Sequence, residues 1–536
     1  VSEERNDPET GAGEPRRARA ARAVCGALAG LIAGFCALAV AELVAALVRP
    51  EAGPVAAVGG AVIDRTPPAV KDFAVRNFGT DDKLVLELGI LALLALFAMT
   101  LGLLAPRHRR AGSAGVLVFG VIGAVCAVGR PGGGALDALP SLVGAVVAAG
   151  ALYVLAGRLV PAAAPLAGRR TAGAFDRRGF VLAAGAVAAV SAGAGLLGRR
   201  LTSVVQAGAA RSRRDLRLPA PDSPAPAVPP GTDLELRGLS PFVTPNQDFY
   251  RIDTALVVPK VDAGAWRLRI HGEGVRTPLE LGLRDLPRRE TVERDITLTC
   301  VSNEVGGPYV GNARWLGVRL ADLLREAGVR PPSEGGPADQ LVARSVDGMT
   351  IGTPVEDVMD GRDALLAFGM NGEPLPFTHG FPVRMVVPGL YGYVSACKWL
   401  QDIELTTFDA YDPYWVRRSW SRRAPVKTQA RIDTPRPFAS PKAGTVPVAG
   451  VAWAQHRGIV RVEVRVDGGP WQPARLAAQD SRDTWRQWVW EWPATPGGHT
   501  LEVRATDGTG AVQTGRRVGT LPDGATGRHT VVVNVS

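Results

Sequence analysis

Cysteine is scarce in this chain, with five in 536 residues. Cys25, Cys36 and Cys126 lie in apolar segments, and only Cys300 and Cys397 lie in the more polar remainder, which excludes a disulfide-stapled scaffold. Histidine is scarce too. His108, His271, His379, His456, His499 and His529 all fall outside the five long apolar runs, so a haem held by paired histidines within a membrane is excluded. Those runs also lack clusters of charge. Glu42 and Glu87 lie within or near helix ends and read as carboxylates snorkelling to an interface. The net charge of +10 comes mainly from arginines beside apolar segments. That placement speaks for topology and surface charge, not for a nucleic-acid partner.

What is present divides the chain. Residues 24–198 are rich in Ala, Gly, Val and Leu. Their five apolar runs, about Val24–Val48, Leu84–Leu104, Ala111–Val128, Leu139–Gly157 and Phe180–Gly198, approach the length of about 20 residues that a helix needs to cross a bilayer. Basic residues before the first run (Arg16, Arg17, Arg19, Arg22), after the second (Arg107, Arg109, Arg110) and between the fourth and fifth (Arg158, Arg169, Arg170, Arg177, Arg178) predict a cytoplasmic N-terminus and an extracytoplasmic C-terminal half in the plasma membrane. Asp176-Arg177-Arg178-Gly179-Phe180 has the form of a twin-arginine export signal, and equally of two arginines placed by topology alone.

The expected organisation is a basic tail at 1–23, an all-α membrane anchor at 24–198, a stiff Pro-rich linker at 199–231, an α+β domain at 232–423 and an all-β domain at 424–536. In the α+β part, Ala265–His271, Ala364–Phe368 and Val383–Val387 read as strands and Arg319–Ala327 as a short amphipathic helix. In the last part, Val446–Ala452, Val460–Val466, Trp485–Trp492 and Thr500–Ala505 alternate between Gly-rich turns. This pattern predicts an immunoglobulin-like sandwich. Trp453, Trp471, Trp488 and Trp490 are expected to supply its core or interface, since it lacks a cysteine pair.

One stretch carries the chemistry. Ile296, Leu298 and Cys300 alternate with Thr297 and Thr299, the period of a half-buried strand, and Ser302, Asn303, Gly306, Gly307 and Pro308 follow as a loop. A thiol at a strand end beside such a loop can be a soft metal ligand or a small buried hydrophobe.

Further motifs resolve the choice. They are Thr244–Thr254; Leu298–Cys300 with Ser302-Asn303; Asn312–Gly317; Ser345–Gly348; Met370–Arg384; and Ser395–Leu400. With these in order, and followed by an all-β domain, residues 240–515 resemble the sulfite oxidase family of molybdopterin enzymes. The resemblance implies that Cys300 is the thiolate on molybdenum. It implies that Tyr250, Arg251, Ile252, Asp253, Thr254, Asp347, His379, Arg384, Ala396, Cys397 and Lys398 cradle the pterin and its phosphate, with His379 donating to the anion. Arg384 and Lys398 have an independent rationale, because a buried phosphate needs fixed cations.

The chain departs from the family where Ile252 and Glu304 stand in place of arginines. It departs again in Trp415-Val-Arg417-Arg418-Ser-Trp420, where Trp420 takes the position of a tyrosine. Glu304, Arg417, Arg418 and Trp420 are therefore expected to shape the substrate pocket, with less positive charge than a sulfite site has. The resulting expectation is a membrane-anchored enzyme of two-electron oxygen-atom transfer, on S-oxides, N-oxides or sulfur anions. No haem is expected, electrons pass to or from an external cytochrome or quinone-linked carrier, and the last domain could pair two chains. The competing expectations are a cell-surface binding module without metal and a transporter subunit with an appended sensor.

Overall fold

The computed structural model describes residues 16–67, 70, 77–78, 82–130, 132–160 and 176–536. The chain separates into two compact units, Val1–Val205 with Thr254–Val257, and Gln206–Asp253 with Val258–Ser536.

The first unit is helical: α1 (Arg16–Val48), α2 (Pro54–Arg65), α3 (Asp82–Leu104), α4 (Arg109–Val128), α5 (Leu139–Arg158) and most of α6 (Arg177–Asp215). Five of these helices, all but α2, are long and apolar enough to cross a membrane. The short α2 was not expected in a connection; Pro54 at its first turn presets a helical φ where no N–H is needed. Small residues let the backbones approach. A Cβ on Gly30 of α1 would stand 2.0 Å from the Ala98 carbonyl of α3, and one on Gly102 would stand 2.1 Å from that of Gly26. Ala29, Ala33, Leu152 and Leu155 are buried inside, whereas Leu93, Val125, Val146, Val181 and Val190 face outward. Large apolar side chains facing outward suit contact with lipid rather than water. Buried Asp137 is paired with Arg49, and Arg130 donates to the Glu51 carbonyl at 3.0 Å.

In the second unit the expected linker takes a different form. Residues 199–215 continue α6, so the extended Pro-rich stretch begins at Leu216 rather than at 199. It is a strap packed on this unit rather than a free spacer. Leu216 packs against the core, Asp222 accepts from the Thr291 N–H at 2.8 Å, and Ser223 bridges Val292 in parallel. The physical reason is the pair of leucines ahead of the prolines, which have core to bury against.

The strap leads into two sheets. Strands are β1 (Arg267–Gly272), β2 (Leu279–Gly282), β3 (Thr291–Thr299), β4 (Val310–Arg319), β5 (Gln340–Ser345), β6 (Thr350–Pro354), β7 (Leu365–Met370), β8 (Glu373–Pro374), β9 (Arg384–Val386) and β10 (Leu400–Thr406). Helices are α7 (Leu320–Glu326), α8 (Val355–Met359) and α9 (Gly392–Ser395). One sheet runs β3-β4-β7-β8, with β9 also on β7; the other runs β2-β1-β10-β5-β6, with β1 and β10 parallel.

The C-terminal part has two four-stranded sheets. They are β11 (Gln429–Thr434), β12 (Gly444–Trp453), β16 (Arg486–Ala494) and β15 (Arg475–Leu476) in one, and β14 (Gln472–Pro473), β13 (Ile459–Val466), β17 (Gly497–Asp507) and β18 (His529–Val535) in the other. Trp488 and Trp492 lie in their shared core, while Trp453 joins the core of the preceding part. Trp471 does not enter the core: the guanidiniums of Arg465, Arg504 and Arg528 lie over its ring at 4.6, 4.3 and 5.1 Å.

Strand β3 is buried on both faces, not one. Ile296 and Leu298 face one core, and Thr297 and Thr299 are 2 % and 1 % exposed on the other side. The C-terminal part covers them. Gln455 Nε2 donates to the Thr297 carbonyl and to Thr299 Oγ1 at 2.9 Å each, and the Trp485 N–H donates to Thr297 Oγ1 at 2.8 Å.

Candidate functional site

The site begins where β3 ends. The Cys300 N–H donates to the Tyr309 carbonyl at 2.9 Å, and Asn303 Oδ1 accepts from the Tyr309 N–H at 2.8 Å, which closes the loop on itself. Gly306 has φ 81°, and a Cβ there would stand 2.2 Å from the His529 ring. Arg431 donates to the Gly307 carbonyl at 2.9 Å. The loop is thus clamped by residues more than a hundred positions away. The Ser302 N–H points at Cys300 Sγ at 3.4 Å. Burial pushes this thiol's pKa up, while that N–H and the Lys398 charge pull it down.

Around Cys300 the structure gathers most of the expected cradle. Burial, then the neighbouring Cys300, raises the Tyr250 phenol, so it stays a donor at neutral pH. Phe249 stacks on Tyr250 with centroids 5.2 Å apart and meets Trp315 and His379 edge-on at 5.8 and 5.6 Å. Arg384, on β9, is 5 % exposed. It donates to the His379 carbonyl at 3.2 Å, lies over Trp315 at 4.9 Å, and leaves its Nε without a partner. Burial brings it down to about 10. Lys398 Nζ lies 3.0 Å from Asp253, which also takes Arg251 at 2.9 Å; burial lowers Lys398 to about 8. Ala396 and Cys397 run beside β9, where the Met385 N–H donates to the Cys397 carbonyl at 2.9 Å. Gly380 has φ 107° and admits the Lys398 backbone, whose Cα would be 3.0 Å from a Cβ there. Asp347 sits in the turn after β5, and after burial its charge is the main influence raising the Cys397 thiol. Cys300 and Cys397 are both free thiols.

His379 differs from expectation. Its Nε2 meets the Asn246 carbonyl at 2.9 Å. A carbonyl only accepts, so the ring's proton is there. Burial, with Arg384 and Lys398 nearby, lowers His379 to about 4. At neutral pH Nδ1 is therefore an acceptor, and His379 orients the Asn246 segment instead of donating to an anion. Ile252 is 39 % exposed, and Thr254 belongs to the first unit.

Of the expected pocket residues, Arg417, Arg418 and Trp420 share one turn, in which the Arg418 and Trp420 N–H groups both donate to the Trp415 carbonyl, at 2.9 and 3.2 Å. Glu304 is exposed in the loop after Cys300. Trp420 packs against Tyr393 of α9 at 5.6 Å. Arg417 and Arg418 turn to Tyr411 and Tyr414 instead, at 5.2 and 3.5 Å from their ring centroids. Sequence reasoning missed Asn246, Phe249, Tyr309, Trp315 and Tyr393, although the first four lie inside or beside the quoted motifs. It also missed Gln455 and Arg431, for which no local signal exists.

The residues fit a buried anionic cofactor. Arg251, Lys398 and Arg384 bring three cations, and Asp253 is the carboxylate that pairs with two of them. Arg384 has no ion-pair partner among the described residues and keeps an unmatched Nε. A buried guanidinium with no counter-ion costs folding free energy unless an anion arrives. Cys300 adds a soft ligand atom near Tyr250, which Arg384 also neighbours.

Residues 255–415 match the family model of an oxidoreductase molybdopterin binding domain. The chain is similar to sulfite oxidase of Gallus gallus, at 34% identity over 337 residues, which is 54% of this chain and 71% of that protein. It is similar to mitochondrial sulfite oxidase of Homo sapiens at 31% identity over 303 residues, 49% of this chain and 55% of the human protein, so it spans about half the length of that relative. Among solved structures, the sulfane dehydrogenase SoxCD from Paracoccus pantotrophus is similar at 26% identity, covering 55% of this chain and 84% of that one, with a TM-score of 0.48.

Proposed function

Because this chain belongs to the sulfite oxidase family of molybdopterin-dependent oxidoreductases, we propose that it is a membrane-anchored enzyme of two-electron oxygen-atom transfer. The observation that carries the reading is Arg384, a buried cation without a counter-ion close to Tyr250 and Cys397. Molybdenum bound by a pterin dithiolene supplies the oxygen-atom and electron chemistry.

The protein's own residues do the rest. Cys300 offers a thiolate ligand. Tyr250 holds a phenolic proton facing it. Arg384 and Lys398 neutralise the pterin phosphate, with Asp253 fixing Lys398. Asn246, held by His379, orders the segment that leads to Tyr250. The pocket lies toward Trp420 and Tyr393, and Glu304 and Ile252 leave it less positive than a sulfite dianion would favour. We therefore favour reduction of S-oxides or N-oxides over oxidation of sulfite, with single electrons exchanged with an external cytochrome or quinone-linked protein.

We take the basic flank of the first span as cytoplasmic, so that an odd number of crossings would leave the second unit outside the plasma membrane, with the arginines at 177 and 178 as an export signal for a domain loaded with cofactor. The two C-terminal sheets are read as an immunoglobulin-like domain that pairs two chains. Turnover of the solubilised full chain tests the reading. A reduced one-electron donor should support loss of S-oxide or N-oxide, with sulfite turned over at least tenfold more slowly. Faster sulfite oxidation would reverse the substrate assignment, and no turnover of either class by molybdenum-loaded protein would overturn the enzyme.

A further inference from the structure

The last turn of α6 reaches the cofactor cradle through one side chain. Arg213 donates from Nε to the Leu375 carbonyl at 2.7 Å and from Nη2 to the Pro374 carbonyl at 2.6 Å, and it lies 3.3 Å from Glu373. Those acceptors lie in β8 and just after it, on the way from β7 to His379. Glu373 in turn accepts from Asn246 Nδ2 at 2.6 Å, and the Asn246 carbonyl holds His379. Ser212 Oγ accepts from the Ala263 N–H at 3.1 Å. A few residues on, Leu218 lies against Gly369 of β7, and Ser223 exchanges backbone bonds with Thr291 and Glu293 of β3, the strand that ends at Cys300. Arg213 is 23 % exposed, so its fork is spent inward. Arg214, its neighbour, is exposed.

We propose that Arg213 is a positioning residue for the cofactor site, and that the segment 206–223 is a working part of the catalytic unit instead of a tether. One guanidinium bonds two successive carbonyls, of Pro374 at the end of β8 and of Leu375 just beyond it, and so fixes the hairpin 370–379. The helix that carries the fifth apolar span thereby also sets the loop that bears His379. This rests on the reading of that site as a molybdopterin cradle.

The test uses the full chain, solubilised, as wild type, Arg213→Ala, Arg213→Lys and Arg214→Ala. Two readouts are taken: molybdenum and pterin retained after prolonged dialysis, and backbone hydrogen exchange. Arg213→Ala should speed exchange at residues 373–380 by on the order of tenfold or more, with the C-terminal sheets unchanged. It should retain severalfold less cofactor than wild type. Arg213→Lys, which keeps the cation but not the fork, should recover part of both effects, and Arg214→Ala should match wild type. Unchanged exchange and retention in Arg213→Ala would overturn the proposal, as would faster exchange throughout the unit. Wild type without molybdenum would count against the cofactor reading alone, and the exchange measurement would still decide the role of Arg213.

Discussion

Replacing Arg384 with methionine should move stability and cofactor retention in opposite directions. The guanidinium is 5 % exposed, and burial brings its pKa below the ordinary arginine value, to about 10. A drop of that size corresponds to about 3 kcal/mol that the buried charge costs the folded protein when no anion is bound. The sign follows from linkage. The folded value lies below the unfolded one, so the whole cost is present below about pH 10 and is relieved only as pH rises from there toward the ordinary arginine value. At neutral pH it does not vary. Against it stand the contact over Trp315 at 4.9 Å and the bond to the His379 carbonyl at 3.2 Å, each worth about 1 kcal/mol. Arg384→Met should therefore leave protein expressed without molybdenum about 1 kcal/mol more stable, read from urea unfolding by tryptophan fluorescence. The same variant expressed with molybdenum should purify nearly free of pterin. A variant destabilised by several kcal/mol that still retains its pterin would refute the argument, because Arg384 would then be a structural residue.

Other expectations follow from the same geometry. Gln455→Leu removes both donors to Thr297 and Thr299 in a fully buried place. It should cost about 2 kcal/mol in urea unfolding and reduce molybdenum content, although Gln455 is 155 residues from Cys300. Asp480, half-buried near Asp295, is raised from 3.8 to about 6, first by burial and then by that neighbour. Its folded value exceeds the unfolded one, so ionising it destabilises the fold, and stability should increase as pH falls from about 6 to 4. Asp480→Asn should flatten that part of the pH profile; an unaltered slope would mean that other carboxylates set it.

Local chemistry was legible in the sequence wherever a residue's role depends on its near neighbours. The five apolar spans follow from composition alone, and strands such as β1, β12 and β13 follow from alternation. Cys300 at a strand end was legible for the same reason. Thr297 and Thr299 misled because the groups that cover them, on Gln455 and Trp485, come from more than 150 positions further along the chain. The role of His379 depended on which acceptor its one proton meets, and Asn246 lies 133 residues before it. Arg417 and Arg418 stack on Tyr411 and Tyr414, a choice of ring that spacing alone does not make. The strap was misread as a spacer because its prolines outweighed the two leucines that anchor it.

The central claim is that Cys300 holds molybdenum in a pterin cradle closed by Arg384 and Lys398. Elemental and pterin analysis of the full chain from a molybdenum-replete host, wild type beside Cys300→Ala, tests it most directly. The account predicts about one molybdenum and one pterin per chain in wild type, and in Cys300→Ala a loss of most of the metal with the fold intact by circular dichroism. Wild type without molybdenum, or equal molybdenum in both proteins, would contradict it.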